Sequence, residues 1–243
     1  MLQDIHLYAN ESRELETARF NPAVRVQPKL NINLHSPHSQ FRAKVESFIS
    51  DKFQHHHSAI IREFMPLLID LGCDNNKNAA IGIRPGVNRP FFLENYIDGS
   101  IEDAVKMLAG VSIDRENIVE IGNFAASNVR TGGLLFTLLA KVLLLAGYQW
   151  MVFTATNEVE KMINKLGCRQ TILTDANASR VQQSSSDWGC YYDNNPKVIA
   201  CNLLDTIDKA ESNPRLNQVF LNHSNQINRL AAELKRANNG VAV

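Results

Sequence analysis

The chain has 243 residues, 44% of them hydrophobic, with 25 basic against 25 acidic side chains. That length and apolar content give one globular domain with extensions or at most two small ones, and a formal charge of zero argues against nucleic acid as the main partner. Met1-Leu2-Gln3-Asp4 is polar where an export signal needs a basic and then an apolar run, so a cytoplasmic location is expected. Cys73, Cys168, Cys190 and Cys201 form no C-x-x-C pair; they read as buried thiols rather than zinc ligands or disulfides, and no metal is expected.

Residues 1–40 carry Pro22, Pro28 and Pro37 without a sustained period, the pattern of an arm with one short strand over 25–34. Phe41, Val45, Phe48, Ile49 and Phe53 recur at helical spacing and predict an amphipathic helix over 41–55. His55, His56 and His57 point in different directions around a helix and read as its solvated end, not as a metal site. Residues 64–71 are apolar but interrupted by Pro66, which predicts a partly irregular segment packed on the core. Residues 79–84 and 90–97 read as two strands joined in a hairpin by 85–89. Ser100 with Asp103 then starts a helix that runs through Leu108.

The central stretch predicts a strand over 118–124, a polar, glycine-bearing loop over 127–133, a helix over 134–148 and a second strand over 150–154. Unpaired N–H groups and the positive end of the helix dipole converge on that loop, and Gly132 and Gly133 admit close backbone approach, so it reads as an anion site suited to phosphate. The apolar run 134–147 is short for a membrane span and contains Lys141, so it reads as a buried core helix. Glu120, flanked by Ile118, Val119 and Ile121, is costly to bury and asks for a functional or ion-pairing explanation; Arg84 is its natural structural partner. Beyond, 157–166 predicts a helix ended by Gly167, and 169–174 a strand. The polar loop 181–187 before Trp188, Tyr191 and Tyr192 suits a lid or ligand wall, though aromatics also plug cores. Residues 214–235 predict one long amphipathic helix, its stripe either docked on the domain or paired in a homodimer.

The run Arg115-Glu116-Asn117-Ile118-Val119-Glu120-Ile121-Gly122-Asn123-Phe124-Ala125, followed by Gly147-Tyr148-Gln149-Trp150-Met151-Val152-Phe153-Thr154-Ala155-Thr156, resembles the thermostable hemolysin family. Phe91-Phe92-Leu93-Glu94-Asn95-Tyr96-Ile97-Asp98, Phe64-Met65-Pro66-Leu67-Leu68 and Trp188-Gly189-Cys190-Tyr191-Tyr192 extend the resemblance over 41–203. That family is in turn similar to GNAT-like acyltransferases, and among them to acyl-homoserine lactone synthases. The resemblance implies an α/β (α+β) fold with a mixed, centrally splayed sheet flanked by helices, divided as arm 1–40, acyltransferase domain 41–204 and helical extension 205–243.

It also implies transfer of a fatty acyl group from acyl-CoA or acyl carrier protein to a small amine such as an amino acid, with no tightly bound cofactor. The donor's pantetheine arm would lie between 118–124 and 150–154, touching Asn123, Phe124, Ala125 and Thr154. Its phosphate would rest on Val129, Arg130, Thr131, Gly132 and Gly133. Ser127 to Gly133 does not reproduce the Q/R-x-x-G-x-G/A loop of acetyl-CoA enzymes, which leaves both donors open. Glu120 first and Glu94 second would take the amine proton, while Arg84, Asn95, Trp188 and Tyr191 would face the acceptor. Ile163 stands where those enzymes place an acidic tyrosine, so Tyr96, Tyr191 or Tyr192 would serve as proton donor. A membrane-damaging protein and a non-catalytic thioester-binding module are the alternatives; for Asn123 and Arg130 the plain readings are a strand cap and an exposed loop residue.

Overall fold

The computed structural model describes residues 30–73, 76–87, 90–181 and 185–238. Most of the expected arm, including the strand expected over 25–34 as far as residue 29, and residues 88, 89 and 182–184 of the two predicted loops lie outside them. Among the described residues the sheet has seven strands in the order β1-β2-β3-β4-β5-β7-β6: β1 Asn31–His35, β2 Leu67–Cys73, β3 Asn76–Pro85, β4 Ile118–Ala126, β5 Trp150–Ala155, β6 Gln170–Asp175 and β7 Lys197–Asn202. Only β4 and β5 run parallel; the other neighbours are antiparallel.

One face carries α3 (Val129–Ala146), α4 (Asn157–Lys165), α5 (Leu203–Glu211), α6 (Pro214–Asn222) and α7 (Ser224–Asn238) over Ile81, Ile121, Met151, Phe153 and Ile199. The other carries α1 (Arg42–His57), over Leu68, Ala80 and Ala125, and α2 (Ile101–Ala109) with a 3₁₀ turn at Phe92–Tyr96, over Ile118, Val152 and Ala200. Period-two alternation along the strands thus divides the core into two layers. Helix ends follow their residues: Ser100 Oγ accepts the Asp103 N–H to start α2, and Asn202 Oδ1 does the same for Asp205 at α5. Gly147 closes α3 in the left-handed conformation with φ 103°.

Several expectations change. The stretch 64–71 holds a regular strand, β2, buried between β1 and β3, because Pro66 sits just before its first residue, where a missing N–H breaks no ladder. The stretch 90–97 is not a strand and makes no hairpin with β3, whose partners are β2 and β4. Its N–H groups go to carboxylates instead: Phe91 to Glu94, Phe92 and Leu93 to Glu120. Cys168 and Cys201 are buried as expected, but Cys190 is exposed.

Helix α3 begins at Val129, not 134, so it has 18 residues and is long and apolar enough by length and composition to cross a membrane. It is nonetheless a core helix: Leu135, Leu138, Leu139, Val142 and Leu143 are fully buried under the sheet's helical layer. The expected single helix over 214–235 is two, broken at His223, whose backbone leaves the helical region while its Nδ1 sits 2.9 Å from the Val219 carbonyl oxygen. Phe220, Ile227, Leu230, Ala231 and Leu234 are buried in the main core, and Leu216 and Val219 pack against it partly buried, so most of the apolar stripe docks on the domain. Arg229 donates to the Ile32 carbonyl at 2.7 Å and Gln226 accepts the Ile32 N–H at 3.1 Å, so α7 also caps the edge strand. β1 falls in the segment read as the arm, and α5–α7 lie in or run into the segment read as the extension; all pack on this sheet.

Candidate active site

The parallel ladder of β4 and β5 pairs Ile118 with Trp150 through Ile121 with Phe153 and then stops. Beyond that point β4 stays with β3, pairing Ala125 with Ala80, and β5 stays with β7, pairing Thr154 with Val198 and Ala155 with Lys197. The two central strands therefore part, and the backbone groups on their facing edges lose strand partners. The cause is local: Gly122 faces Gly82 and Ala125 faces Ala80, so Asn123 and Phe124 together oppose Ile81 in a β-bulge that bends β4 away. Asn123 takes the left-handed conformation with φ 49°, tolerated by a short amide that is itself fixed; its Oδ1 accepts the Met65 N–H at 2.8 Å and its Nδ2 donates to the Glu63 carbonyl.

A cavity of about 80 Å³ occupies the gap and passes through the sheet. Phe136 and Val159 line it from the helical face, Ile121, Phe124, Phe153 and Thr154 from the strands, and Phe53, His57 and Tyr191 from the other face. A second cavity of about 90 Å³ lies alongside, with Phe64, Met65, Arg84, Phe92, Asn123 and Trp188 in its wall. Neighbouring residues, Gly122 with Asn123 and Trp188 with Tyr191, set the two cavities side by side. A wider hollow, about 680 Å³ between α4, β6 and α5, is a shallow surface depression and holds none of the expected site residues.

The start of α3 stands at the open end of the splay. Asn128 is its N-cap, with Oδ1 taking the Thr131 N–H at 2.9 Å, and the earlier first-turn donors of Val129 and Arg130 point out of the helix end. Val129 and Arg130 are exposed. Gly132 and Gly133 lie within α3 itself and not in a loop before it. Both are buried; the Gly132 N–H goes to the Asn128 carbonyl, and a Cβ there would lie 3.0 Å from Phe124, so this glycine lets α3 press on β4.

Glu120, 2% exposed, accepts three hydrogen bonds: Oε2 from Arg84 at 3.0 Å and from the Phe92 N–H at 3.1 Å, and Oε1 from the Leu93 N–H at 2.9 Å. Burial pushes its pKa up, while Arg84 and the two N–H donors oppose that shift. Glu94 lies away from both cavities. Arg115 grips it bidentately at 2.8 Å on each oxygen, and the N–H groups of Phe91 and Ile101 add to it. Burial alone would raise its pKa, but Arg115 and those N–H groups outweigh it and hold the carboxyl below its usual range. The two acids thus anchor the 92–96 turn and the start of α2 to the sheet. Asn95 is exposed and bonds the Phe92 carbonyl, outside both cavities.

The aromatics form one network. Tyr96 and Tyr192 share a hydroxyl contact of 2.7 Å, and Tyr191 packs edge-on against Tyr192 and against His57, the latter at 5.4 Å. Burial raises the pKa of both Tyr96 and Tyr191, keeping these phenols protonated. The turn carrying Trp188 is fastened to the end of α1: Cys190 N–H donates to the His57 carbonyl at 2.8 Å, and Arg62 binds Asp187 through two contacts. Gly189 permits this, since its φ is 52° and a Cβ would lie 1.9 Å from the His57 oxygen. His57 is therefore half-buried in the cavity wall and not part of a solvated helix end, as the run of three histidines suggested. Sequence periodicity carried no signal for it, because its burial comes from a segment more than a hundred residues away.

A family model described as thermostable hemolysin matches residues 35–207. Among solved structures, the chain is similar to FeeM, an N-acyl amino acid synthase from uncultured soil microbes, at 13% identity and a TM-score of 0.52, over 74% of this chain and 93% of that one. It is also similar to BjaI, a CoA-dependent acyl-homoserine lactone synthase with SAM and isopentyl-CoA, at 11% identity and a TM-score of 0.53, over 78% and 90% of the two chains. The AHL synthase LasI shares 13% identity at a TM-score of 0.50, over 72% of this chain and 91% of its own. At such identities the likeness shows the fold, a GNAT-like mixed sheet flanked by helices, as the sequence led us to expect. No curated protein matches the chain.

Proposed function

Because the chain belongs to the thermostable hemolysin family, we propose that it is an N-acyltransferase, moving a fatty acyl group from acyl-CoA or acyl carrier protein to a small amine such as an amino acid. The observation that carries this reading is the splay of β4 from β5, with a cavity in the gap and a helix start at its open end. The pantetheine arm, with its amides, suits strand edges whose own partners have parted. Asn123, Phe124, Ala125 and Thr154 border that path, and Val129, Arg130 and Thr131 meet the phosphate at the α3 N-terminus, where a helix dipole favours an anion.

In this reading the acceptor enters through the second cavity. The Arg84 guanidinium and the Trp188 indole N–H, buried and without a partner among the described residues, suit a carboxylate there. Glu120 holds Arg84 and the 92–96 turn in place, Tyr191 lines the donor cavity, and Tyr96 supports it through Tyr192. The reaction would run in the cytoplasm, where acyl thioesters are made. One observation favours a second reading, a thioester-binding module without turnover: both carboxylates first considered as the base are held by arginine and backbone N–H groups, and neither lines the splay cavity. Thiol release and amide formation from acyl-CoA and acyl carrier protein, measured with a mixture of amino acids, decide the matter. Binding without transfer supports the module, and neither binding nor transfer removes both readings.

A further inference from the structure

We propose that the imidazole of His57 is the proton acceptor, and then the proton donor, of this acyl transfer; the assignment rests on the acyltransferase reading above. Attack on a thioester needs a base with a free lone pair inside the cleft. Glu94 is taken up by Arg115 and the Phe91 and Ile101 N–H groups, Glu120 is held by Arg84 and the Phe92 and Leu93 N–H groups, the Tyr96 and Tyr192 hydroxyls contact each other, and none of the four lines the splay cavity. Among the described residues lining the splay cavity, His57 and Tyr191 alone carry titratable side chains. His57 Nδ1 is shielded from solvent and has no hydrogen-bond partner among the described residues. Leaving such an atom unsatisfied is costly, and a buried orphan of this kind calls for a ligand.

The ring is held for the task. Phe53 packs on it at 5.8 Å and Tyr191 at 5.4 Å, while the Cys190 N–H fixes the carbonyl of the same residue. The groups that act on it are His56 on its own helix, Glu158 on α4 and the Tyr191 phenol. Burial first, and His56 second, hold its pKa below 6.5, with Glu158 opposing, so the ring is neutral near pH 7. With its proton on Nε2, Nδ1 is an acceptor.

As the neutral amine attacks, the C–N bond forms and the nitrogen becomes acidic, so its proton passes to Nδ1. The C–S bond then breaks, and the departing thiolate takes that proton from the imidazolium. Amide and thiol leave with the imidazole restored and no net proton released.

The test compares wild type, His57→Asn, His57→Phe and His57→Ala. Dodecanoyl-CoA and dodecanoyl-carrier protein serve as donors, the proteinogenic amino acids as acceptors, and released thiol is read in single turnover. His57→Phe keeps the ring packing on Phe53 and Tyr191 and removes both nitrogens, which separates chemistry from folding. The expected result is a fall of roughly 10²–10⁴-fold in rate for all three variants, with donor affinity within about twofold of wild type. Once the rate is divided by the fraction of neutral acceptor amine, a titration common to all variants, the wild-type value should drop as pH falls through the lowered His57 pKa, the variants should lack that limb, and imidazole should rescue His57→Ala. Wild-type transfer with an equally active, equally pH-dependent His57→Phe overturns the role of His57 and leaves the acyltransferase reading standing. A wild type that transfers no acyl group overturns both.

Discussion

The two faces of the sheet are built by different rules. The helical face, with α3 to α7, is regular secondary structure packed through apolar stripes, and nearly every buried residue there is hydrophobic. The opposite face, beyond α1 and α2, is made of 3₁₀ turns and loops whose backbone N–H groups are satisfied by the carboxylates of Glu120 and Glu94. Irregular backbone cannot satisfy itself, so this face spends buried charge on holding its shape. The cost is repaid in geometry: the aromatic turn, the second cavity and the end of α1 meet only there.

The sharpest way to break this comparison is Glu120→Ala. It leaves Arg84 and two N–H groups without their acceptor, and should cost about 3–5 kcal/mol of unfolding free energy. Denaturant unfolding measures it, and a loss below about 1 kcal/mol would mean that Glu120 is not an anchor. Glu120→Gln, which keeps shape but not charge, should lower stability while single-turnover transfer per folded molecule stays near wild type. On the helical face, Leu139→Ala opens a hole in a fully buried layer and should cost about 2–5 kcal/mol with turnover per folded molecule unchanged. Parallel losses of stability and specific activity at Leu139 would erase the distinction between the faces.

At the rim of the splay, Arg130→Ala tests the smaller contribution of an exposed charge. Donor affinity should weaken about 10-fold or somewhat more at low salt and less at high salt, as a screened phosphate contact does. Titration of acyl-CoA at two ionic strengths reads this, and an unchanged affinity at both would return Arg130 to the solvent.

The helical face was the legible one. Periodicity located α3 and the C-terminal stripe; it missed the true start of α3, because Arg130-Thr131-Gly132-Gly133 reads as loop when the Asn128 cap is overlooked, and it missed the break at His223, which leaves the stripe in register. The strands β4 and β5 and the Glu120–Arg84 pair were also within reach, since an acid in an apolar strand demands a partner. What the sequence hid lies on the other face. Residues 90–97 carry the residue types of a strand, and only the acceptors at Glu120 and Glu94 draw their N–H groups out of the ladder. Residues 64–71 carry the opposite trap, a proline that looks disruptive but precedes the strand. His57 was read from its two histidine neighbours, whereas its environment comes from Tyr191 and the clamp at Gly189.

The subtlest difference lies within the irregular face, between its two acids. Glu94 is held below the usual carboxylate pKa near 4.3, so the folded state binds its proton less tightly than the unfolded chain. Its contribution is complete above that usual value and is lost as pH falls through the depressed one. Glu120 is shifted the other way by burial, so the folded state holds its proton more tightly and stability declines as pH rises from the usual value through the raised one. Unfolding curves across this range should therefore separate the variants. The wild-type advantage over Glu94→Gln should shrink toward acid pH, and the advantage over Glu120→Gln should shrink as pH rises. The effect on each midpoint is small, but the two slopes must differ in sign. If both differences run the same way, Arg84 and the Phe92 and Leu93 N–H groups outweigh burial at Glu120, and the two carboxylates are anchors of a single kind.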